Sequence, residues 1–70
     1  MFIDIFGKVI NVNHIVTYYY NLDYNNGKRT IFIITTNSVI KGVVENIDTV
    51  NKILDKLNSI TKPINLDNIN

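Results

Sequence analysis

The spacing of apolar side chains changes at residue 46. Before it, apolar and polar residues tend to alternate. After it, Ile47, Val50, Ile53, Leu54, Leu57 and Ile60 recur every three or four positions. The first period belongs to half-buried strands and the second to one face of an α-helix. A chain carrying them in that order is expected to fold as an α+β protein. The expected architecture is an antiparallel meander of four to five strands with one C-terminal helix packed on one face. Asn46 has the side chain of an N-cap, and Asp48 places a carboxylate in the first turn, where the helix dipole favours it. Lys62-Pro63 ends the helix, because the residue before proline is pushed out of the α region.

The strands are separated by turn signals. Residues 2–6 form a first short strand, Gly7-Lys8 a turn, and residues 8–12 a second strand. Asn13-His14 marks a break. Residues 15–22 alternate as a third strand, with Ile15, Thr17 and Tyr19 on one face and Val16, Tyr18, Tyr20 and Leu22 on the other. Asn26-Gly27 then lies between two β-rich runs, which predicts a type I′ hairpin. Residues 29–36 return as a strand whose run Ile31-Phe32-Ile33-Ile34 is apolar on both faces, the pattern of a central strand. After Asn37-Ser38, residues 39–44 close the sheet, and Gly42 within them predicts a bulge or a close backbone approach. Residues 1–62 read as a single domain. Residues 63–70 read as a tail, either a short extra strand or a disordered end.

Composition sharpens this reading. Thirteen of the 70 residues are Ile and twelve are Asn, while Ala and Gln are absent. β-branched residues suit strands, Asn suits turns, and the best helix former is missing. With 46% apolar residues the chain has the makings of a core. A domain of this size buries only about 60% of its unfolded surface, and it carries no cysteine for a disulfide. Association between copies is the remaining source of stability. One helix covers one face of a sheet, and the other face is expected to keep several of Ile3, Ile5, Val9, Ile31, Ile33, Tyr18 and Tyr20. Monomers seldom leave such a patch unused, so a homo-oligomer, most simply a two-fold dimer, is expected.

The same sequence offers little for catalysis. His14 is the only histidine and has neither a second His nor a Cys to share a metal. A hydrolase needs paired carboxylates with separated pKa values, and the six acids show no such pairing; Asp48 and Asp55 fit a solvated helix face. Three scattered glycines make no phosphate loop. No enzymatic activity and no cofactor are expected. A net charge of +1 is too small for a nucleic-acid binder that acts by counterion release. The longest apolar run, four residues, is far short of a membrane span, and a cytoplasmic location is expected.

Tyr18-Tyr19-Tyr20 is the most informative local feature. Tyr18 and Tyr20 share a face, with Lys28, Arg29 and Lys41 on flanking segments. These five residues are the candidate binding site. Such a set suits an aromatic hot spot in a protein interface, a stacking platform for a base with a basic side chain at its phosphate, or plain strand packing.

The order Gly7-Lys8-x-Ile10-Asn11-Val12-Asn13-x-Ile15, then Thr30-Ile31-x-Ile33-x-Thr35-Thr36-Asn37, then Val43-Val44-Glu45 before an amphipathic helix resembles small bacterial proteins of the FlbD/SwrD flagellar type. The likeness runs over about residues 7–60. Ser38 stands where that family usually has Gly, and the segment around Asn25-Asn26-Gly27 is longer. Uncharacterised short proteins of low-GC bacteria and their phages look similar. The resemblance implies a non-enzymatic accessory protein acting through protein contacts.

Two functions follow as expectations. The first is a small interaction module that acts as a homo-oligomer on an unidentified protein partner. The second is a phage-type inhibitor or sequestering protein that holds a nucleotide-like small molecule at an oligomer interface.

Overall fold

A computed structural model describes residues 1–64 and Leu66. The expectation for the tail falls largely outside these residues. Five strands precede one helix: β1 (Phe2–Ile5), β2 (Lys8–Asn11), β3 (Ile15–Leu22), β4 (Arg29–Thr35), β5 (Val39–Val44) and α1 (Ile47–Thr61). All pairings are antiparallel, and the α+β architecture expected from the sequence is present. The strands are divided, however, into a β1-β2 hairpin and a three-stranded sheet in the order β3-β4-β5. The division falls at a single 3-10 turn, Val12–His14, where Asn13-His14 marked a break. There the Asn11 side chain takes the Asn13 amide at 3.0 Å, so the β2 ladder ends before β3 begins.

The core lies on one face of the three-stranded sheet. Ile31 and Ile33 of β4, Ile40 and Val44 of β5, and Val50 and Leu57 of α1 form it. The other apolar residues of the helical stripe, Ile47, Ile53, Leu54 and Ile60, pack against this cluster. Ile3, Ile5, Phe6 and Ile10 of the hairpin do so as well. Helix and hairpin therefore share the lid over one sheet face. The helix begins where the sequence places it: Asn46 Oδ1 accepts the Asp48 amide at 2.8 Å. It ends with Lys62 in the left-handed region, the residue before Pro63.

Three local expectations are corrected. The first turn is Phe6-Gly7, not Gly7-Lys8. Both residues have positive φ, 51° and 75°, and Ile5 pairs with Lys8, the pattern of a two-residue type I′ hairpin. The Asn26-Gly27 hairpin forms, but not as type I′, since only Gly27 has positive φ (71°). Asp23 Oδ1 accepts the Asn25 amide and Asn26 Oδ1 accepts the Lys28 amide, both at 2.9 Å, and these side chains hold a longer loop closed by Asp23 N–H to Lys28 C=O. Finally, a register shift between Ile15 and Thr17 carries Ile15 onto the face of Tyr18 and Tyr20 rather than that of Tyr19.

Candidate functional site

Register assigns each paired side chain of the three-stranded sheet to a face, because directly paired residues point the same way and neighbours along a strand point oppositely; Val16, in the register shift of β3, has no partner. Tyr20, Ile31 and Gly42 form one cross-strand row on the covered face, and Tyr18, Ile33 and Ile40 the next. The open face carries the intervening rows: Asn21, Thr30 and Val43; Tyr19, Phe32 and Lys41; Thr17, Ile34 and Val39. Of these nine side chains, five are aromatic or aliphatic, three are small and polar, and one is charged. Val39 is 59% exposed and Val43 62%. The rings of Tyr19 and Phe32 stack at 5.1 Å between centroids with 17° between their planes. This open face is the candidate site.

The sequence anticipates a bare apolar face but populates it wrongly. Ile31 and Ile33 are fully buried, and Ile3, Ile5 and Tyr18 pack on the covered side. The run Ile31-Phe32-Ile33-Ile34 is apolar at all four positions, so alternation alone does not say which pair faces the lid. Of the residues named from sequence, Val9 is exposed, on the outward face of the hairpin.

The five candidate binding residues do not form one cluster. Tyr18 turns its hydroxyl to α1, where it donates to Asn58 Oδ1 and lies 3.0 Å from Thr61 Oγ1. The hydroxyl is thus engaged within the chain, by the helix that covers this face. Tyr20 lies on the same face and keeps 40% of its surface exposed. Arg29, opposite Leu22 and Val44, is at the end of the covered face. Lys28 pairs with Glu45 at 3.5 Å, just beyond the Arg29–Val44 end of the β4-β5 ladder. Lys41 is on the other face, in the row of Tyr19 and Phe32. Phe32 and Tyr19, the middle tyrosine, are on the open face and are not among the five residues named from sequence. The signal for both was the register of the β3-β4 hairpin, which sets Tyr19 opposite Phe32.

Beside Phe32, on the β5 side, is a shallow hollow of about 430 Å³ lined by Thr30, Lys41, Gly42 and Val43. A second groove, of about 360 Å³, runs past His14 between the two sheets and is lined by Phe2, Val9, Asn11 and the 35–38 turn. No carboxylate lines it among the described residues, so His14 has there no acid to orient it as a base. Among the described residues no three of His, Asp and Glu come together as metal ligands, and no helix is long and apolar enough to cross a membrane.

No family model matches the chain, and no curated protein or solved structure is significantly similar to it.

Proposed function

We propose that this protein is a small non-enzymatic interaction module that works as a homo-oligomer, and that copies meet through the open face of the three-stranded sheet. The observation that carries the reading is the make-up of that face. Aromatic and aliphatic side chains run through all three of its rows, and Lys41 is its one charge. Cores of protein interfaces have this composition, enriched in aromatics and depleted in charge. A net charge of +1 leaves little repulsion between copies. The resemblance of the sequence to FlbD/SwrD-type accessory proteins agrees with a role exercised through protein contacts.

The test is sedimentation of the wild type beside a Val39→Glu, Val43→Glu double variant. Both valines are largely exposed, so the variant keeps its fold by circular dichroism. At protein concentrations of about 10–100 µM the wild type sediments as a dimer or larger, and the variant as a monomer. A monomeric wild type overturns the reading.

The hollow beside Phe32 favours a second reading, in which the joint surface holds a nucleotide-like molecule. A base would lie on Phe32 with Lys41 at its phosphate. This moves the site away from Tyr18, whose hydroxyl is engaged by α1, and from Lys28, which is paired with Glu45. A thermal-shift panel of nucleotides separates the two, because a ligand of the native state raises the melting temperature by mass action.

A further inference from the structure

We infer that Asn26-Gly27, in the loop between β3 and β4, is a site of self-modification, where the chain converts Asn26 to an aspartyl or isoaspartyl residue at a rate set by the hydrogen bonds of the loop.

The chemistry needs only the chain and water. Hydroxide removes the amide proton of Gly27, and the bared nitrogen attacks Cγ of Asn26. A C–N bond forms, and the tetrahedral carbon carries its negative charge on Oδ1. The bond from Cγ to Nδ2 then breaks. The leaving nitrogen takes a proton from water, which restores the hydroxide, and departs as ammonia. A five-membered succinimide is left. Water opens it at Cγ to give an aspartyl residue, or at the main-chain carbonyl to give an isoaspartyl one. The sum is one side-chain amide and one water in, one carboxyl group and one ammonia out.

This position is suited to the reaction. Of the twelve asparagines, Asn26 alone precedes a glycine. Ring closure is least crowded there, because Gly27 has no Cβ, and no atom lies within 4 Å of where one would be. Both residues are exposed, so water and hydroxide reach them. Asn37 and Asn58 precede Ser38 and Ser59, and each of the other asparagines with a successor precedes a larger residue.

The loop also holds the reaction back. The Gly27 N–H, whose proton must leave, donates to the Asp23 carbonyl at 2.8 Å. Oδ1 of Asn26 accepts the Lys28 amide at 2.9 Å, which fixes the side chain under attack. Asp23 Oδ1 in turn accepts the Asn25 amide at 2.9 Å and steadies the same turn. Attack therefore waits for the loop to open, which an exposed loop outside the strand ladder does at small cost. The product has a new carboxylate two residues from Lys28, and the net charge falls from +1 to 0. In the isoaspartyl form the main chain is also one carbon longer inside a loop closed by Asp23 N–H to Lys28 C=O.

The test incubates the full chain at mildly alkaline pH, in buffer and in unfolding urea, and weighs its proteolytic fragments over time. Exchange of NH2 for OH adds one mass unit. The fragment with Asn26 gains it before those with Asn37 and Asn58, and about tenfold faster in urea than in buffer. No gain at Asn26 in either solvent, or a later gain than at Asn37 or Asn58 in urea, overturns the site. A rate in buffer equal to or above that in urea overturns the control by the loop. Asp23→Ala, which removes the acceptor of the Asn25 amide, speeds the reaction about threefold in buffer, whereas Asp23→Asn keeps an acceptor and the wild-type rate. An Asp23→Ala protein that is folded by circular dichroism and reacts no faster also overturns that control.

Discussion

The Phe6 ring occupies the space a side chain at Gly42 would fill: a Cβ built on Gly42 falls well inside the contact distance of three ring carbons, Cγ, Cδ1 and Cε1. Gly42 lies in the middle of β5 opposite Ile31, pointing into the core. Phe6 occupies the turn of the first hairpin with φ at 51°, a conformation unusual for a large side chain. Together with the packing of Ile3, Ile5 and Ile10 on the core, this contact holds the β1-β2 hairpin against the sheet. Glycine is required at position 42 by the ring and not by its own backbone angles.

Gly42→Ala therefore displaces the ring and is expected to cost about 1–3 kcal/mol of stability, measured by urea unfolding. In a Phe6→Leu background the same change costs much less, because the side chain in its way is smaller and more pliable. Equal costs in both backgrounds would show that the two residues are not coupled.

How much of this was legible follows from where each feature is encoded. The helix, its Asn46 cap and its apolar stripe are written in local spacing, and the sequence places them to within a residue. Gly42 announced a close approach, but Phe6 as its partner did not, because that pairing depends on how the hairpin docks. Asn26-Gly27 marked a hairpin, while the Asx contacts of Asp23 and Asn26 decided its type. The open face was missed by one position. A shift of one residue in β4 exchanges Ile31 and Ile33 for Phe32 and Ile34, and an unbroken apolar run carries no mark of which pair is inside.

Tyr18→Phe separates packing from binding. The lost hydroxyl breaks the contacts to Asn58 and Thr61, and unfolding free energy falls by about 0.5–1.5 kcal/mol. Self-association is unchanged, since the ring is on the covered face. A variant as stable as wild type that no longer associates would return Tyr18 to the interface.

Thr35 is the buried polar residue of the sheet, 8% exposed at the end of β4. Its hydroxyl donates to the Ser38 carbonyl at 3.0 Å and accepts the Ser38 amide at 3.1 Å, and so closes the turn to β5. Thr35→Val keeps the shape but leaves the Ser38 amide without this acceptor, for a loss of about 1–3 kcal/mol. Thr35→Ser retains the hydroxyl and recovers most of it. The unfolding midpoints of the three proteins in urea decide the matter.

Dilution of an isotope-labelled sample, followed by NMR, tests the central claim most directly. As the concentration falls from about 500 to 10 µM, resonances of Tyr19, Phe32, Val39, Lys41 and Val43 shift together along one binding curve. Those of Val50 and Leu57, in the helix beyond the sheet, stay in place. Spectra that do not change with concentration, or changes confined to the hairpin and helix, would show that the open face is not where copies meet.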